Sequence, residues 1–167
     1  MFRVVIGING LGLQYIMKMK KTILALLLTG ASASAFALPF DKYSLNRDDL
    51  PEEAREFLTT HFPKGKVSMI KVDKHLLKKT DYDVKLVNGT KIEFNNAGKW
   101  TSVDCKTREV PEALVIRPIR KYIERNFPDT KIVKIEKKTF GFELELSDGI
   151  EVKFDRLGTF KSVEMND

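Results

Sequence analysis

Phe142-Glu143-Leu144-Glu145-Leu146-Ser147-Asp148-Gly149-Ile150-Glu151-Val152-Lys153-Phe154 is the stretch on which the fold turns. Apolar and charged residues alternate on both sides of Asp148-Gly149. A period of two puts Phe142, Leu144, Leu146, Ile150, Val152 and Phe154 on one face of a strand pair. Glu143, Glu145, Glu151 and Lys153 fall on the other face. That is the pattern of an antiparallel hairpin with one side against a core and the other toward water or a partner. Asp-Gly favours the left-handed backbone of a type I′ turn between two such strands.

The same pattern occurs earlier. Tyr82, Val84 and Leu86 alternate with Asp83 and Lys85; Asn88-Gly89 follows; then Ile92 and Phe94 alternate with Lys91 and Glu93. A type I′ turn here requires positive φ at both Asn88 and Gly89. A four-residue loop ending in Gly comes next in each copy, Asn95-Asn96-Ala97-Gly98 and Asp155-Arg156-Leu157-Gly158, and leads into a last strand over 99–105 and 159–165. An earlier strand is expected at about 66–74 and 131–138. Ahead of each set lies a helical pattern, opened by Leu50-Pro51-Glu52 or Val110-Pro111-Glu112 and stopped by Phe62-Pro63 or Phe127-Pro128. Ala54, Phe57, Leu58 and His61 share a face of the first, and Ile116, Ile119, Tyr122, Ile123 and Phe127 of the second. Pro118 starts the main part of the second helix and makes the segment before it a separate turn.

The chain therefore reads as α+β: two tandem α-β-β-β-β repeats, 50–107 and 108–167, with helices packed on one face of antiparallel sheet and an N-terminal extension at 38–49. A unit of about 60 residues is marginal alone, so the two are expected to share a core or to join sheet edges. The first copy carries a longer link between its first two strands, ending in Lys74-His75-Leu76-Leu77-Lys78-Lys79.

Residues 1–37 read as a leader. Lys18, Lys20 and Lys21 precede a short apolar run, Ile23 to Leu28, and a small-residue ending, Ala35-Phe36-Ala37. Charged start, apolar core and A-x-A ending are the parts of a secretory signal, with Ala35 and Ala37 at the cleavage site and Leu38 as the first residue of the mature chain. The run is too short to span a bilayer stably, which takes about 20 residues. Met17 or Met19 suits the start of such a signal better than Met1. Gly7-Ile8-Asn9-Gly10-Leu11-Gly12 lacks the third glycine and the βαβ context of a dinucleotide fingerprint.

The run Val103-Asp104-Cys105, Val110-Pro111, Tyr122-Ile123 to Phe127-Pro128, Ile132 to Glu136, Glu143 to Gly149 and Lys153-Phe154-Asp155 resembles the PepSY-like, β-lactamase-inhibitor-like periplasmic proteins of Bacteroidetes. The resemblance covers roughly residues 38–167. It implies a helix-backed antiparallel sheet and a periplasmic location. Inhibitors of that general shape grip an enzyme with the open sheet face and protruding loops. They also carry disulfides, and this chain has one Cys.

The residues give no constellation for catalysis. His61 and His75 stand apart from any second ligand at metal spacing. Ser residues lie outside any nucleophile elbow, and Cys105 has no base beside it in the sequence. Four of the 29 basic residues lie in the leader and none of the 23 acidic ones do. The remainder is near balance, with no clustered basic stripe for nucleic acid. Cofactor and metal are not expected, nor is an enzyme. The function expected is an exported, non-enzymatic module that docks an envelope or periplasmic protein or peptide. The candidate docking residues are Asp83, Lys85, Lys91, Glu93, Glu143, Glu145, Glu151 and Lys153 on the solvent face, with Leu76 and Leu77 at its rim. The alternative is a small ligand or cation held by the acidic strand face.

Overall fold

In a computed structural model, residues 41–73 and 80–165 are described. They form a nine-stranded antiparallel sheet in which every strand pairs with its neighbour in sequence, β1 to β9. The strands are β1 (Lys42–Ser44), β2 (Val67–Asp73), β3 (Asp81–Leu86), β4 (Lys91–Phe94) and β5 (Trp100–Asp104), then β6 (Ile132–Lys138), β7 (Gly141–Leu146), β8 (Ile150–Asp155) and β9 (Phe160–Met165). Helix α1 (Glu52–His61) precedes β2, and α2 (Arg117–Asn126) precedes β6. β1 lies within the stretch read from sequence as an extension and forms one edge of the sheet, pairing Tyr43 with Lys71.

Each helix is laid down by its apolar stripe. Ala54 and Leu58 of α1 and Ile119 and Ile123 of α2 are buried. They join one core with Ile70, Val84, Ile92, Phe94, Val103, Ile135, Leu144, Val152 and Phe154 from the strands. Phe57 packs edge-on to Phe94 with ring centres 5.4 Å apart, and Tyr122 packs edge-on to Phe154 at the same distance. Pro118 stands in the first turn of α2, behind a separate 3-10 turn at Glu112–Leu114. Both helices stop at Phe62 and Phe127, whose N–H groups close the last turn onto Leu58 and Ile123. β5 pairs with β6, Val103 opposite Ile135, so the sheet runs unbroken through the middle of the chain.

The hairpin turns differ from the type I′ expectation. Gly89 has φ +89 and Gly149 φ +86, while Asn88 and Asp148 do not have positive φ. Gly89 N–H bonds Leu86 C=O at 2.9 Å, and Leu86 N–H bonds Thr90 C=O at 2.8 Å. This is a type I turn closed by a left-handed glycine, the three-residue hairpin with a G1 bulge. Asn88 is held out of the left-handed region by its own side chain, whose Oδ1 accepts from Thr90 N–H at 3.1 Å. Asp148 does the same for Ile150 N–H at 3.2 Å.

Candidate functional site

The face of the sheet away from the helices carries two rows of polar side chains set by the strand register. In the first, Lys71, Asp83, Glu93, Ser102, Glu136, Glu143, Lys153 and Ser162 lie opposite one another from β2 to β9. In the second, Lys85, Lys91, Asp104, Lys134, Glu145, Glu151 and Glu164 do so from β3 to β9. All eight charged residues picked from the sequence stand in these rows. Sequence reading missed their central members, Asp104, Lys134 and Glu136. Those sit on β5 and β6, which pair across the middle of the chain with no hairpin between them to fix their register. Leu76 and Leu77 lie outside the described residues, as do Ala35 and Ala37 of the leader.

The two halves of this face are wired differently. From β6 to β9 lysines bridge most of the carboxylates. Lys134 meets Glu136 at 2.5 Å, Lys138 pairs with Glu136 and meets Glu143 at 2.8 Å, and Lys153 meets Glu151 at 3.3 Å and Glu164 at 2.8 Å. Burial pushes the Glu136 carboxyl up, but hydrogen bonds from Lys134 and Lys138 outweigh it and the net shift is down. The same two carboxylates, Glu136 and Glu143, hold the Lys138 ammonium well above its usual range. A hollow of about 260 Å³ lined by Lys134, Glu136, Lys138, Glu143, Glu145 and Glu151 lies among these pairs.

Like charges face each other in both halves, Glu136 with Glu143 and Glu145 with Glu151 in the second, but on β3 and β4 no described lysine bridges the acids. Asp83 faces Glu93 and Lys85 faces Lys91. Like charges directly opposite destabilise a strand pair. Among the described residues neither Asp83 nor Glu93, nor Lys85 nor Lys91, forms an ion pair. The Asp83 carboxyl is pushed up by burial, against the pull of Lys71. The Glu93 carboxyl is pushed up by burial and then by Asp83 and Glu136. Exchanging one acid for one base across this hairpin would give the cross-strand pairing that Glu143 and Lys153 already show.

The chemistry of the remaining candidates is bland. Cys105 is free and 2% exposed at the end of β5, and burial pushes its thiol up. The His61 imidazole packs 4.7 Å from the Phe57 ring, and burial lowers its pKa. His75 lies outside the described residues. Among the described residues no group of three or more His, Cys, Asp or Glu side chains is arranged to hold a metal ion, and no helix is long and apolar enough to cross a membrane.

A nine-stranded sheet backed by two helices, with its far face charged and uncovered by any described element, defines an α+β class of helix-backed antiparallel sheets. Comparison with known proteins narrows it. The family model described as "Putative beta-lactamase-inhibitor-like, PepSY-like" matches residues 80–162. A "putative periplasmic protein of unknown function" from Bacteroides vulgatus is 41% identical, with a TM-score of 0.72 over 75% of this chain and 99% of that one. A "putative calcium-regulated periplasmic protein" from Bacteroides thetaiotaomicron is 35% identical, with a TM-score of 0.70 over 74% and 96%. A "putative periplasmic protein from DUF2874 family", also from Bacteroides vulgatus, is 38% identical, with a TM-score of 0.70 over 80% and 99%. No curated protein matches the chain. The chain belongs to the PepSY-like, β-lactamase-inhibitor-like family.

Proposed function

We propose that this is an exported, non-enzymatic binding module that docks a protein or peptide on the open face of its sheet. The observation that carries the reading is the hairpin β3–β4, where Asp83 faces Glu93 and Lys85 faces Lys91 on a face that no described element covers. The folded chain gains nothing from that arrangement. It presents an acidic pair beside a basic pair to whatever lies above, and a partner with the inverse pattern would satisfy both. Charge patterns of this kind set register and encounter rate more than raw affinity. The neighbours' periplasmic descriptions and the Ala35-Phe36-Ala37 leader support export, with cleavage before Leu38. The α-β-β-β-β order on both sides of β5–β6 supports an origin by tandem repetition.

The test is capture from an envelope extract with the wild-type chain and with a Lys85→Glu, Lys91→Glu variant as baits. A stoichiometric partner held by the first and lost by the second, at unchanged melting temperature, is expected. Equal capture by both would remove the open face from the mechanism.

A second reading rests on the same acidic pair. Asp83 and Glu93, opposite each other and both pushed toward protonation by burial, would be relieved by a bound cation,. A relative is described as calcium-regulated, so calcium is the ion to try. A melting temperature raised by calcium in the wild type and not in Glu93→Gln would support it. No calcium shift in either chain would dismiss it.

A further inference from the structure

We infer that one end of the sheet is a membrane-contact tip, built to rest on an anionic lipid surface through Phe140 and Leu157. These are the two most exposed large apolar side chains among the described residues, at 82% and 80%. Their turns are neighbours at one end of the sheet. Phe140 lies in the two-residue turn between β6 and β7, where Lys138 pairs with Gly141. Leu157 lies in the turn after β8, and β6 and β8 run in the same direction, so the two turns share an end. Arg156 joins them: its guanidinium donates to the Thr139 carbonyl oxygen at 3.0 Å from Nε and 2.5 Å from Nη2. Neither turn requires its apolar residue. Thr139-Phe140 contains none of the Gly, Asn or Asp that a tight hairpin prefers, and the matching turn of the first half carries Ala97 where the second carries Leu157.

The surroundings are basic. Among the described residues Arg156, Lys137 and Arg117 form no ion pair. Arg156 lies between the two anchors. Lys137 stands near the end of β6 with its ammonium 3.5 Å above the Trp100 ring, attracted by Glu53 and repelled by Lys99. Arg117 opens α2, whose first turn abuts the Leu157 turn: a Cβ on Gly158 would lie 2.9 Å from Pro118 Cβ. Asp155, the carboxylate nearest the anchors in sequence, is taken by Lys161 at 3.3 Å and by its own turn's N–H groups. Two protruding apolar side chains are too little for a stable protein interface, which buries about 800 Å² on each partner. Paired with cations that stand outside any described ion pair, they suit reversible contact with a soft anionic surface, where apolar insertion and charge attraction each supply part of the binding.

The experiment uses the full chain and reads the tip itself, so that contact made by the leader does not count. Phe140→Trp is mixed with vesicles of phosphatidylcholine carrying bromine on the acyl chains, with and without phosphatidylglycerol. Quenching of the introduced tryptophan well beyond that of Trp100 in the parent chain is expected on the anionic vesicles and not on the neutral ones. In the Phe140→Trp background, Lys137→Gln and Arg156→Gln should each weaken binding about fivefold, the effect of removing about one lysine or arginine near such a surface. Leu157→Ser should weaken it as well, with the melting temperature of these exposed-site variants within a few degrees of the parent. An introduced tryptophan left unquenched on both vesicle types would overturn the inference and return the tip to the rim of a protein-docking face. So would equal quenching on neutral and anionic vesicles. The open-face proposal stands or falls separately, because Lys85 and Lys91 are not among the tip residues.

Discussion

Asp83 and Glu93 face each other across β3 and β4 with carboxyls raised from their ordinary values by burial first and then by neighbouring acids. The folded chain therefore holds their protons more tightly than the unfolded chain does. Linkage fixes the sign: these two groups favour folding as pH falls through their raised values and oppose it above them. Glu93→Gln should thus be more stable than the wild type at neutral pH, by a few tenths of a kcal/mol. The difference should shrink as pH drops through the carboxylate range. Urea melts at both pH values check this, and a variant less stable at neutral pH would refute the opposition. Gly89 carries φ +89 with open space beside it, its nearest neighbour being Lys106 Cγ at 3.9 Å. Gly89→Val should cost about 1 kcal/mol or more through backbone strain alone. Gly141 is constrained by contact instead, since a Cβ there would collide with the Phe154 carbonyl and lie 2.8 Å from Asp155 Cα. Gly141→Ala should therefore cost more than Gly89→Val, about 3 kcal/mol, as thermal denaturation of the two variants would show.

At the scale of elements, the alternation around Asp148-Gly149 and Asn88-Gly89 was enough to place β3, β4, β7 and β8. The Phe-Pro stops were enough to end both helices. Sequence does not distinguish a type I′ turn from a type I turn closed by a left-handed glycine, because Asn-Gly serves both. The side-chain bond from Asn88 to Thr90 N–H that decides between them is visible only in three dimensions. β1 escaped notice because three residues carry no period. The face of the candidate site was legible from parity. The like-charge oppositions on it were not, because cross-strand partners are set by register, and bulges in other strand pairs shift register elsewhere in the same sheet. The sequence places Leu157 in a four-residue loop and Phe140 between two expected strands; neither position shows in sequence the end they share. The helices themselves should be held almost wholly by packing. Leu58→Ala removes a fully buried side chain from the α1 stripe and should cost about 3 kcal/mol, read from urea melts of the variant beside the wild type,.

For the whole molecule, one buried cluster draws on both helices and on strands from β2 to β8, and β5–β6 pairing leaves no seam between the halves. The described chain should unfold in one transition, with tryptophan fluorescence from Trp100 and the far-ultraviolet signal falling together. Separate midpoints would mean that the halves melt as independent units. The strand order has a kinetic meaning too. Because every strand pairs with the one beside it in sequence, most ladders close over a short turn and can zip from any hairpin at small entropic expense. The β5–β6 ladder is an exception: its strands are separated by everything from Cys105 to Lys131, α2 included. Forming α2 and docking it on β7–β8 should therefore precede the closure of the sheet. Val103→Ala in that ladder should speed unfolding far more than it slows folding.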